Sequence, residues 1–145
     1  MLASAYLKRG DVEQAMELLR DIVKIEERTL KKEHPDRLTS QYLLARAYLE
    51  RGNVEQAIEL LRGIVEIEER TLKEEYPDRL TSQHLLARAY LKRGDVEQAI
   101  VLFKLVVEIR QRVLREGDSE RLASEGWLAE AYCKQSERSG QEFAG

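Results

Sequence analysis

A period of 42 residues runs through this chain. The segment LASAYLKRGDVEQAMELLRDIVKIEERTLKKEHPDRLTSQY, starting at Leu2, returns from Leu44 as LARAYLERGNVEQAIELLRGIVEIEERTLKEEYPDRLTSQH. Between residues 1–42 and 43–84, 32 of 42 positions are identical. A third, more divergent copy starts at Leu86, and about half of a fourth runs from Leu128. A fixed period of this size marks stacked supersecondary units, none of which buries its apolar face alone. Such arrays offer an extended surface to another molecule and seldom build the enclosed pocket that chemistry needs.

Composition narrows the partner. A net charge of −3, from 24 basic and 27 acidic residues, gives no electrostatic footprint for nucleic acid. The uncharged apolar stretches fall far short of the ~20 residues that cross a bilayer, so no membrane association is expected. Met1 leads into the repeat and not into a signal sequence. The single cysteine, Cys133, excludes an intramolecular disulfide and suits a reducing compartment. A cytoplasmic protein is the expectation.

Each unit reads as two helices. In the middle unit Pro35-Asp36 opens helix A, with Asp36 as an early-turn carboxylate facing the positive end of the helix dipole. Leu38, Leu44, Ala45, Tyr48 and Leu49 recur at helical spacing, and Gly52 supplies the left-handed residue that ends a helix. Asn53 is positioned to cap helix B, which carries Val54, Ala57, Ile58, Leu61, Ile64, Val65, Ile67 and Leu72 until Tyr76-Pro77. This predicts helices of about 16 and 23 residues, roughly 24 and 34 Å long. A turn of one or two residues makes them antiparallel. Helix A is apolar on more than one side (Leu43, Leu44, Ala47, Tyr48, Leu49), so stacking on a neighbouring unit is obligatory.

Leu44-Ala45-x-x-Tyr48, Gly52, Ala57-x-x-x-Leu61 and Pro77 resemble the tetratricopeptide repeat pattern, with its nine-residue step from Tyr48 to Ala57. Gln41 stands where that pattern has Trp, and the period is eight residues longer than 34, close to two helical turns. The 42-residue version is similar to the repeats of kinesin light chains, and more similar still to the C-terminal arrays of fungal NACHT or NB-ARC receptor-type NTPases. Glu68 to Tyr90 (EERTLKEEYPDRLTSQHLLARAY) is the most specific stretch. The resemblance implies an all-α fold, a right-handed α-solenoid of antiparallel helix hairpins with helix A lining the concave side. It also implies a protein- or peptide-binding role without a cofactor. In the fungal receptors the array acts as a ligand sensor beside a nucleotide-binding domain, of which no phosphate-loop motif occurs here.

Met1 aligns with Leu43, so the first helix A is expected as a stub, residues 2–9. The expected organisation is one array over 1–134: a truncated first repeat (1–34), a second (35–76), a third (77–118) and a capping helix (119–134). In the fourth copy Ser136 replaces the turn glycine and Arg138 the first apolar anchor of helix B. That helix should therefore be lost, with 135–145 a flexible polar tail. Seven helices result. The stub leaves apolar surface on helix B1, from which weak end-to-end self-association is expected.

Comparison between copies locates candidate binding residues. On helix A the varying positions are Tyr42, His84 and Gly126; Ser4, Arg46, Arg88 and Glu130; and Lys8, Glu50, Lys92 and Lys134. Steps of four place Tyr42, Arg46 and Glu50 on one face. The resemblance points this stripe, Ser4, Lys8, Tyr42, Arg46, Glu50, His84, Arg88 and Lys92, into the concave side. Arg46 and Arg88, one repeat apart, are candidates to hold a carboxylate in bidentate fashion, and an exposed arginine pairing with Glu50 or solvent is the favoured alternative. Free drift of solvent-exposed positions is the competing explanation. His34 and His84 are not within helical reach and lack further ligands, so no metal site is expected. Glu26-Glu27 and Glu68-Glu69 read as a solvated face, Cys133 as a packing residue at a leucine position, and Trp127 as packing on helix B3. No nucleophile–base pair or phosphate loop points to an enzyme. A self-associating structural array and a designed consensus array are the alternatives to a binding module.

Overall fold

A computed structural model of the chain describes residues 11–144, with side chains through residue 140. Among the described residues there are six helices and no strand: α1 (Val12–Thr29), α2 (Pro35–Arg51), α3 (Val54–Thr71), α4 (Pro77–Arg93), α5 (Val96–Val113) and α6 (Ser119–Ala144). Helices α2 and α4 are the expected helices A, and α1, α3 and α5 the helices B. The stub at 2–9 and the turn at Gly10 lie outside the described residues. The chain forms two compact units, Met1–Leu72 and Lys73–Gly145. In the first, α1 packs on α2 and α2 on α3. In the second, α4 packs on α5, α5 on α6, and α6 also touches α4.

The hairpin turns follow from glycine. Gly52 and Gly94 have φ of 93° and 97°, a conformation that costs a side-chain-bearing residue about 1–2 kcal/mol. The Gly52 N–H donates to the Leu49 carbonyl (3.2 Å) and the Asn53 N–H to that of Tyr48 (2.8 Å). Two carbonyls that a helix end leaves orphaned are thereby satisfied. The expectation that Asn53 caps helix B is not met. Asp11, Asn53 and Asp95 hold ψ of 60–68° and form no side-chain cap, because capping geometry requires a more extended backbone. The Asp95 carboxylate takes the Arg93 guanidinium instead.

Helix B is shorter than its sequence predicts. It ends at Thr29, Thr71 and Val113 after 18 residues, and a five-residue connection leads to the next helix A. Proline explains the restart: it forces the preceding His34 and Tyr76 into extended backbone, ψ 127° and 125°. An arginine at the third position of the following helix anchors the stop. Arg37 Nη1 donates to the Leu30 carbonyl (3.0 Å) and Arg121 Nη1 to that of Leu114 (3.2 Å). His34 caps α2 through Nδ1, which accepts the Asp36 N–H at 3.1 Å. Asp118 does the same for α6, taking the N–H groups of Glu120 and Arg121.

The last helix differs most from expectation. It does not stop near residue 134 but continues to Ala144. With Ser136 at the position of Gly52 and Gly94, no residue there adopts the left-handed stop. No proline follows, so the chain extends the helix it is already in. Arg138 lies on that extension, 3.7 Å from Glu97.

In the first unit the core joins Ala15, Met16, Leu19 and Val23 of α1 to Leu43, Leu44 and Ala47 of α2, with Tyr42, Tyr48 and Leu60 against it. In the second, Leu80 of α4 packs with Val106 and Ile109 of α5. Two burial expectations are corrected. Glu68 is 5% exposed and part of the helix interior, not of a solvated face. Cys133 is exposed although its equivalent Leu49 is buried: no helix B follows α6 among the described residues to cover that side. Leu122 is 53% exposed for the same reason, whereas its equivalent Leu80 is 3% exposed.

Candidate binding surface

The stripe residues occupy two kinds of environment. In the first unit Tyr42 is half-buried and rests on the core, while Arg46 and Glu50 are exposed on α2. Glu50 and Arg51 border a shallow groove of about 360 Å³ with Asp11, Val12, Glu13 and Gln14. Its rim is closed by an ion pair between Arg51 and Glu13. Tyr48, two residues from Arg46, faces away: its hydroxyl accepts from Arg20 Nε at 3.2 Å, and the Arg20 guanidinium lies 5.4 Å from its ring centroid. Tyr48 is half-buried and its copy Tyr90 buried. Ser4 and Lys8 lie outside the described residues.

The second unit builds something its predecessor lacks. The His84 ring meets Phe103 of α5 edge-on, with centroids 5.5 Å apart and planes at 66°. Phe103 stacks on Trp127 of α6 (6.3 Å, 15°). The Arg88 guanidinium then lies over Trp127, 4.6 Å from the ring centroid. Aromatic pairs add roughly 0.5–1.5 kcal/mol beyond area burial, and a cation over an indole about 0.5–2 kcal/mol. Burial, followed by the cations of Arg110 and Arg88, holds the His84 imidazole well below its usual range, at about 4. His84 is therefore neutral at pH 7, and its Nδ1 is buried without a hydrogen-bond partner. Arg88 is half-buried and Lys92 exposed.

The stripe thus divides into Arg46, Glu50 and Lys92, which face outward, and Tyr42, His84 and Arg88, which also support packing. Trp127 packs on helix B3, as its sequence position implied. Phe103 and Arg110 escaped the sequence reading. Comparing surface positions between copies does not find them, but comparing buried ones does. Phe103 replaces Leu19 and Leu61, Trp127 replaces Leu43 and Leu85, and Arg110 replaces Glu26 and Glu68. Among the described residues no group of three or more His, Cys, Asp and Glu side chains is placed to hold a metal ion. No described helix is long and apolar enough to cross a membrane.

The tetratricopeptide repeat family model matches residues 1–67 and 45–112. The chain belongs to the tetratricopeptide repeat family. Two solved structures of nearly identical repeats from Podosopora anserina, assigned to a kinesin light chain, resemble it with a TM-score of 0.89 and 47% identity; one carries a single glutamine-to-methionine substitution. Each match covers 93% of this chain and 64% of the other, so this array spans less than two thirds of the length of those relatives. BtubC (BKLC) from P. vanneervenii matches at a TM-score of 0.82 and 22% identity, over 93% of this chain and 54% of that one, a likeness of fold alone. No curated protein matches the sequence. The all-α tetratricopeptide architecture expected from the 42-residue period is the one observed.

Proposed function

We propose that this tetratricopeptide array is a non-enzymatic scaffold that binds a protein or peptide along its helix-A stripe. One observation carries the reading. Helices α2 and α4 are identical except at positions 42/84 and 50/92, where Tyr becomes His and Glu becomes Lys. Neither change touches a turn or a capping residue, and one reverses an exposed charge. Charge complementarity selects partners more than it stabilises a fold, so a charge reversal between otherwise identical helices fits a role in partner selection. Arg46 and Arg88 keep a guanidinium between these positions in both units.

The finer reading, resting on the resemblance of the 42-residue repeats alone, makes the array the ligand-sensing part of a larger fungal receptor-type NTPase working in the cytoplasm. The test is a selection of peptides from a displayed random library against the intact chain, followed by titration against stripe variants. Arg46→Ala, Glu50→Lys and Lys92→Glu should each weaken selected peptides at least about tenfold, the effect of losing one charge-assisted contact. Peptides that bind all three variants unchanged would place the binding surface elsewhere.

A further inference from the structure

We infer that copies of this chain associate head to tail, with the first turns of α6 in one copy packed on the C-terminal half of α1 in the next. The α4–α5 pair provides the pattern of such a contact when both sides are present. Leu80 of α4 is 3% exposed and packs with Val106 and Ile109 of α5, themselves 0% and 3% exposed. At the edge of this cluster Arg112 Nη2 of α5 donates to Glu74, in the connection before α4, at 3.0 Å. The start of a helix A and the second half of a helix B thus make one contact, apolar inside and ionic outside.

Each half of that contact recurs in the chain with its apolar side open. Leu122 of α6, the equivalent of Leu80, is 53% exposed. On α1, Ile25 is the equivalent of Ile109 and is 50% exposed, and Ile22, the equivalent of Val106, is half-buried. The charges recur too. Arg28 of α1 stands at the position of Arg112, and Glu116, before α6, at that of Glu74. Both are exposed, and neither forms an ion pair among the described residues. Leu122 laid on Ile22 and Ile25, with Glu116 beside Arg28, repeats the α4–α5 contact between two copies. None of these residues belongs to the helix-A stripe.

Charge selects this pairing over the symmetric ones. Lys24 and Lys32 stand where the second copy has Glu66 and Glu74 and the third Glu108 and Glu116, so the end of α1 is more basic than its equivalents. The start of α6 carries Glu116, Asp118 and Glu120, and the guanidinium of the next residue, Arg121, is engaged by the Leu114 carbonyl and Glu125. Two α1 ends would set base against base and two α6 starts acid against acid, and such repulsion excludes wrong partners. A contact between unlike surfaces leaves one of each free in every pair, so growth is not limited to two copies.

The test is sedimentation velocity of the intact chain from micromolar to millimolar concentration, with circular dichroism to verify the fold of each variant. The mean mass should rise with concentration and pass that of a dimer. Leu122→Ser should raise the concentration of half-association at least about tenfold, the effect of losing one buried leucine, and Ile25→Ser reads the same contact from the other helix. Arg28→Glu and Glu116→Arg should each raise it about threefold, and both changes in one chain should restore it. An equal mixture of the two single variants should associate more than either alone, since each supplies the surface the other needs. A monomer at every concentration would overturn the proposal. So would a mass that levels off at the dimer, or a double variant no better than the single ones.

Discussion

Lowering the pH should destabilise the second unit through His84. The imidazole is buried against Phe103 and faces Arg110 and Arg88, with its pKa at about 4. In the unfolded chain it returns to about 6.5. Between these values the unfolded state binds more protons than the folded one, so stability rises with pH across the window. The contribution is fully present above about pH 6.5 and is lost as pH falls towards 4. At about 1.36 kcal/mol per unit, the loss is roughly 2 kcal/mol at pH 5 and roughly 3 kcal/mol at pH 4. Trp127, the only tryptophan, stacks on the same Phe103, so its fluorescence follows the unit that contains His84. Urea titrations from pH 7.5 to 4 should show the midpoint falling by about 1 M or more, given a slope of about 2 kcal/mol/M. His84→Gln, which does not titrate, should remove most of that dependence. A midpoint with the same pH profile in both proteins would refute the reasoning and return the acid sensitivity to the carboxylates.

Glycine substitutions should split by conformation. Gly52→Ala and Gly94→Ala should each lower stability by at least about 1 kcal/mol, since φ is 93° and 97° there. Gly63→Ala, inside α3 with nothing within 4 Å of an added Cβ, should raise it by about 0.5–1 kcal/mol; thermal unfolding by circular dichroism separates the two outcomes. Phe103→Ala should cost about 3–5 kcal/mol in a denaturant titration, whereas the exposed Arg46→Ala should stay within about 0.5 kcal/mol. Arg37→Met should cost about 1 kcal/mol by freeing the Leu30 carbonyl, seen as faster amide exchange in the 30–34 connection.

The architecture is legible because a period constrains every copy at once. Gly52 and Gly94 mark the turns, Pro35 and Pro77 the restarts, and the apolar spacing of helix A predicts packing on both sides. Helix lengths are less legible. The stop at Thr71 has no breaker in sequence, and the matching stop at Thr29 depends on an arginine seven residues beyond Leu30 reaching back to its carbonyl. The run of α6 past residue 134 departs from the expected tail because the loss of a glycine removes a stop signal, which extends a helix instead of dissolving it. The buried state of Glu68 is hidden by its neighbour: Glu68 and Glu69 look alike in sequence but point about 100° apart around a helix. At the binding surface, copy-to-copy variation finds the exposed Arg46, Glu50 and Lys92. It cannot show that Arg88 is seated over an indole, because that contact joins residues 39 positions apart on two different helices.

Amide hydrogen exchange on the intact chain, with and without a peptide chosen by selection, tests the binding account most directly. Side chains of the stripe project from α2 and α4, so an occupied stripe should slow exchange in residues 38–52 and 80–94 and leave the solvent-facing halves of α1, α3 and α5 at their free rates. Protection concentrated on α1, α3 and α5, with α2 and α4 unchanged, would contradict the claim that this array binds its partner through helix A.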